Sequence, residues 1–280
     1  MAWWGKLLGG AFGFMLGGPL GAVLGAALGH QYDKGLKALP DMGGAQREAP
    51  EQREINQTAF FTATFSVMGH IAKADGVVTK EEIRFAEAVM EQMQLGPDQR
   101  KTAISLFREG KKEGFRIDAV LDQFHAQLGR QRNLIRMFLE IQVQAAYGDG
   151  RKHPAEHRIL QSIAGRLGIT DRELDMIEEM VLASIHFQQS RRQQEEPRRE
   201  RRRPESPGVV SLHDAYAMLE IDRSSSDAEV KKAYRRMISR HHPDKLASKG
   251  LPEEMMEMAT EKTRLIKQAY EMIKQSRGMR

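Results

Sequence analysis

From Leu7 to Leu28 the chain carries no charged residue, and this run constrains the fold more than any other feature of its 280 residues. A helix rises about 1.5 Å per residue, so the run reaches roughly 33 Å, enough to cross the hydrocarbon core of a bilayer. The expectation is a short N-terminal segment (1–6), one transmembrane helix (7–29) and a connector (30–53), with membrane lipid as a partner. Trp3 and Trp4 before the run and Tyr32 after it suit the two interfaces, and Lys6, Lys34 and Lys37 lie outside. A cleaved secretory signal would have a shorter apolar region ending in a small-residue cleavage site. Gly9, Gly13, Gly17, Gly21, Gly25 and Gly29 recur at every fourth position. They form one ridge where a second helix backbone could approach, so the expectation is a homodimer through the transmembrane helix.

Flanking charge does not orient the span, because Lys6 and the α-amino group nearly balance Lys34 and Lys37. Nearly all of the chain follows the span and therefore lies on one side of the membrane. Hydrophobic residues make up 40% and charged residues 29%, as suits globular domains, and the absence of cysteine removes disulfides and cysteine zinc sites. The net charge of +5 is modest and locally placed, so it says little about nucleic acid.

Beyond the connector, apolar residues return at helical spacing: Phe61, Phe65, Met68 and Ile71; Ile83, Ala86 and Met90; Leu134, Phe138 and Ile141; Ile177, Met180 and Ile185. Residues 54–187 are expected to form a helical bundle. Asp75-Gly76 with Glu82 recurs 74 residues later as Asp149-Gly150 with Glu156. Each is expected to lead into a helix ending near Leu95-Gly96 or Leu167-Gly168, so the bundle reads as a pseudo-duplication. The Asp-Gly-x5-Glu spacing matches half of a calcium loop, but Ile71 and Lys73, or Ala145 and Tyr147, stand where oxygen ligands would be needed. His153-Pro154-Ala155-Glu156-His157 matches a zinc-protease pattern formally. Pro154 favours a first helical turn, which puts His153 at the cap rather than on the helix face. No metal, cofactor or catalytic residue is expected, and the chain does not read as an enzyme.

Between Gln188 and Pro207 the apolar pattern gives way to Arg191, Arg192, Arg198, Arg199, Arg201, Arg202 and Arg203 among Gln, Glu and Pro. A flexible linker (188–208) is expected. Acidic residues dilute the run and no aromatic is interleaved for base stacking, so nucleic acid is not an expected partner.

The last seventy residues carry the strongest pattern. Ser211 opens a short helix with Tyr216 and Leu219, and Ser226-Asp227-Ala228-Glu229 has the form of a capping box. Val230, Ala233, Tyr234, Met237 and Ile238 then share one face, leaving Lys231, Lys232, Arg235, Arg236 and Arg240 as a basic surface. His242-Pro243-Asp244 ends that helix, since proline disfavours helix before it and cannot extend the ladder. A loop to Gly250 should follow, with Pro252 in the first turn of a further helix carrying Met258, Leu265, Ile266, Ala269, Tyr270 and Ile273. Two antiparallel helices would then bury Tyr234, Met237 and Ile238 against Leu265, Ile266, Ala269 and Tyr270.

The Asp-Gly repeat region resembles the TerB-like family. Residues 209–277, with His242-Pro243-Asp244, the basic helix before it and Ile266-Lys267-Gln268-Ala269-Tyr270-Glu271 after it, resemble the J domain of Hsp40 co-chaperones. The whole is similar to the membrane-anchored DnaJ-like proteins of Gram-negative bacteria. It has no Gly/Phe-rich or cysteine-rich region, so the substrate-binding roles of those parts do not carry over. The fold class expected is all-α. The resemblance implies that His242, Pro243 and Asp244, aimed by Lys231, Lys232, Arg235, Arg236 and Arg240, engage a cytoplasmic Hsp70 (DnaK) and stimulate its ATPase. A nucleotide exchange factor would complete the cycle. It also implies an inner-membrane protein with its N-terminus periplasmic and its bulk cytoplasmic. The alternative is a membrane-bound sensor whose bundle binds an ion or a protein and whose J domain is the output.

Overall fold

The computed structural model describes residues 48–73, 86–91, 93–147, 154–195 and 211–279. The expected membrane helix with its glycine ridge, both Asp-Gly pairs, Glu82, His153 and Arg198 to Arg203 lie outside them. Among the described residues every element is helical, and no helix is long and apolar enough to cross a membrane.

The first helix, α1 (Glu48–Ile71), carries the expected stripe of Phe61, Phe65, Met68 and Ile71, all buried. Burial goes further than an amphipathic stripe, because every residue from Asn56 to Gly69 is buried. Two of its buried hydroxyls bond back to the helix: Thr64 Oγ1 donates to Phe60 O at 2.7 Å and Ser66 Oγ to Thr62 O at 2.8 Å. α2 (Pro97–Gly110) crosses α1 at a pair of glycines. A Cβ on Gly110 would sit 1.8 Å from Ser66 O, and one on Gly69 2.0 Å from Phe107 O, so only bare backbones can approach this closely.

α3 (Ile117–Leu128) and α4 (Arg132–Ala146) close the bundle, and Phe124 and Phe138 meet with ring centroids 4.6 Å apart beside Phe60. α4 is buried continuously from Leu134 to Val143, including Arg136, Glu140 and Gln142. Gln142 reaches across the bundle, its Nε2 donating to Thr64 O at 3.2 Å.

α5 (Pro154–Arg166) and α6 (Asp171–Glu195) follow. The internal repeat is visible where helices end. Leu95 N bonds to Met90 O and Ile169 N to Ala164 O, with Gln94 (φ 49°) and Gly168 (φ 71°) in the left-handed conformation before them. These equivalent positions are 74 residues apart, the spacing of the Asp-Gly pairs. The helix that includes residues 86–91 thus ends near Leu95-Gly96, as expected, and Gly96 caps α2, its N–H donating to Gln99 Oε1 at 2.7 Å.

α6 continues to Glu195, eight residues into the stretch expected to be a flexible linker. The physical reason is packing: Phe187 and Ser190 are buried where α6 runs along α7 (Leu212–Met218), and His186 Nδ1 lies 2.9 Å from Asp214 Oδ1. The C-terminal unit is thus seated on the bundle. α7 starts at Ser211 through a reciprocal cap with Asp214. α8 (Asp227–His241) starts at the expected box, Ser226 N donating to Glu229 Oε2 at 2.7 Å. α10 (Met256–Arg277) runs back against α8, and Tyr234 stacks on Tyr270 with centroids 4.2 Å apart. Met237, Leu265, Ile266 and Ala269 are buried between them and Ile238 is half-buried, as the periodicity anticipates.

Candidate functional site: the turn after the basic helix

α8 is capped at its C-terminus by His242, whose backbone (φ −62°, ψ 123°) is already extended, as a residue before proline prefers. The segment expected to be a loop instead begins a second short helix, α9 (Pro243–Ala247). Proline ends α8 and starts α9 for the same reason: at the first helical position its fixed φ fits and its missing N–H is not needed. His242 caps α9, its Nδ1 accepting from Asp244 N at 3.2 Å. The side chains of His242 and Asp244 are 42% and 87% exposed, so both point out of a turn stiffened by proline and by this cap. Pro252 lies just before a 3₁₀ turn (Glu253–Met255) that runs into α10, close to its expected place.

Lys231, Lys232, Arg235 and Arg236 are exposed on α8. Arg236 is held at its base, Nη2 donating to Leu219 O at 3.2 Å and to Glu220 O at 3.4 Å. Arg240, grouped with them by helical pattern, is directed elsewhere: its Nη1 donates to Glu220 Oε2 at 2.7 Å in a half-buried position.

That pair belongs to a charge network between the two units that sequence reading did not anticipate. Glu220 is shared by Arg240 and by Arg136 of α4. One turn along α4, Glu140 faces Lys262 Nζ at 3.4 Å and His241 Nε2 at 3.6 Å. Burial alone would raise the Glu140 carboxyl, but His241, Lys262, Arg136 and Arg240 hold it below the usual carboxylate range. Burial pushes His241 down to about 4 despite Glu140. A cavity of about 40 Å³ lies beside this pair, bordered also by Gln144, Ser184 and Lys262. The available signal was an i, i+4 pair of charges inside the apolar run Leu134 to Val143.

His157, of the protease-like pattern, sits in α5 with its Nδ1 2.7 Å from Glu178 Oε1, and Tyr147 Oη donates to the same oxygen at 2.7 Å. Asp175 completes a group whose potential ligand atoms lie within 4.8 Å of one another. A phenol and an imidazole already serve that one carboxylate oxygen, so the arrangement is a buried hydrogen-bonded network in its own right.

An antiparallel hairpin with an exposed His-Pro-Asp turn beside a basic helix defines a J-domain protein, and residues 214–278 match the family described as DnaJ domain. Residues 61–179 match Tellurite resistance protein TerB, and residues 1–39 match Co-chaperone DjlA transmembrane domain, which supports membrane anchoring. The chain is 42% identical to the Co-chaperone protein DjlA of Photobacterium profundum, covering 99% of this chain and 100% of that one. It is 43% identical to that of Vibrio cholerae, covering 99% of each, and 43% identical to that of Shewanella oneidensis, covering 100% of each. The chain belongs to the DjlA co-chaperone family. No solved structure matches it.

Proposed function

We propose that this protein recruits a cytoplasmic Hsp70 of the DnaK type to the inner membrane and stimulates its ATPase through the J domain. One observation carries the reading: His242 and Asp244 are exposed at the end of a rigid helix whose open face bears Lys231, Lys232, Arg235 and Arg236. Fixed cations steer an acidic partner surface into register and act mainly on association rate. The turn then makes contacts that favour the hydrolysis-competent state of the partner, a shift of its conformational equilibrium. The chemistry stays in the partner, and a nucleotide exchange factor resets it. The N-terminus is periplasmic and the bulk of the chain cytoplasmic, where the Hsp70 is. The glycine ridge from Gly9 to Gly29 pairs two copies in the membrane, which crosslinking in native membranes checks by the appearance of dimer.

The test is steady-state ATP hydrolysis by purified DnaK with the full chain in lipid nanodiscs. The wild type accelerates turnover, and His242→Gln abolishes the acceleration while circular dichroism stays unchanged. Undiminished stimulation by that variant would refute the role of the turn.

A further inference from the structure

The bundle touches the His-Pro-Asp segment on both sides. On the N-terminal side, His241 immediately precedes the turn, is 3% exposed, and faces Glu140 of α4. Lys262 of α10 faces the second oxygen of the same carboxylate, and Thr263 Oγ1 donates to His241 O at 3.1 Å, so the end of α8 and the start of α10 are tied at one point. On the C-terminal side, α9 leads to Gly250 and Leu251, which lie against α1. Gln57 Nε2 donates to Leu251 O at 3.4 Å. Gly250 has φ 97°, and a Cβ built there would be 2.7 Å from Asn56 Cβ, so the loop backbone rests on the bundle itself.

Docking of this kind could either hide the turn or hold it. The exposures decide between them: His242, Asp244 and the four cations of α8 remain open while the J domain is seated. What the bundle covers is the root of the turn, at His241, Gly250 and Leu251. The charge pair at this point, Glu140 with Lys262, is buried, so it is weakly screened by salt and sensitive to removal of one partner.

We propose that Glu140 is a positioning residue for the His-Pro-Asp turn, and that the bundle serves as a platform fixing the turn at His241 on one side and Gly250-Leu251 on the other. This rests on the Hsp70 reading above for its consequence, though not for its geometry. A fixed turn keeps most molecules in the presenting pose; released from Glu140, the J domain samples other poses and its apparent affinity falls by the fraction that remains competent.

The experiment compares wild type, Glu140→Gln, Glu140→Asp and Gln57→Ala as full chains in nanodiscs. Two readouts are taken: the concentration giving half-maximal stimulation of DnaK, and amide hydrogen exchange over residues 242–251 without DnaK. Glu140→Gln is expected to raise the half-maximal concentration about fivefold or more with the maximal rate unchanged, and to speed exchange in the turn. Glu140→Asp restores part of both. Gln57→Ala removes the bundle's donor to Leu251 O without altering the turn and produces the same pair of changes, which keeps the proposal testable if Glu140→Gln does not fold. Unaltered exchange, or stimulation that is unaltered or stronger, overturns it. If the wild type itself fails to stimulate, the Hsp70 reading falls, and exchange alone decides the docking.

Discussion

Acidification should loosen the J domain from the bundle before it unfolds either. The titrating group is His241, which is neutral in the docked state at about 4 and has an ordinary value of 6.5 when exposed. The docked state therefore binds its proton less readily than the undocked one, so the stability of docking is fully present above 6.5 and is lost as the pH falls toward 4. A fall from 6.5 to about 4 corresponds to a loss of about 3 kcal/mol at ~1.4 kcal/mol per tenfold change. Between about pH 7 and about pH 5 the change is about 2 kcal/mol, which moves the docking equilibrium roughly 20-fold. Glu140, held below the usual carboxylate range, acts in the same direction but at lower pH. The chain has no cysteine, so two can be introduced cleanly, at Glu179 on α6 and at Ser276 on α10, both exposed. Spin labels there should report a distance distribution that broadens between pH 7 and pH 5 while far-ultraviolet circular dichroism is retained. In His241→Gln the pH dependence should flatten, which separates this imidazole from His186 at the same boundary. A distribution that is constant to pH 5, or one that still responds in the variant, refutes the reasoning.

Gly110→Ala should destabilise the bundle by at least the ~1–3 kcal/mol usual for overpacking, because its methyl would meet Ser66 O of α1 at 1.8 Å. Urea unfolding checks this, and an unchanged midpoint would mean the two helices do not cross so closely. Tyr147→Phe removes one of the two donors to a Glu178 oxygen and should cost about 1–3 kcal/mol, the carboxylate being 1% exposed. The same urea titration reads it, and a neutral result would show the network to be adequately served by His157.

The J-domain hairpin was legible because its determinants are local. Ser226 and Glu229 lie three residues apart, and Tyr234, Met237 and Ile238 declare their face by spacing alone. What was missed involved either a second reading of one residue or a partner far along the chain. Pro243 was read as a stop, yet the same ring starts α9. Gln94 takes a left-handed conformation that Gly168 takes in the other repeat, and nothing in a glutamine announces it. α6 persists to Glu195 because α7, some twenty residues further on, covers it, and composition alone does not reveal a distant cover. Arg240 looked like part of the open basic face until Glu220 and Arg136 were brought beside it by tertiary packing.

The continuous burial of α4 has a consequence for recombining such modules. One surface of this helix is read by α1, through Gln142, and another by the J domain, through Arg136 and Glu140. A J domain transplanted from another co-chaperone onto this bundle would leave both charges stranded unless it also brought an acid in place of Glu220 and cations in place of Lys262 and Arg240. The grafts that succeed should be those that match this short electrostatic address, whatever their similarity elsewhere.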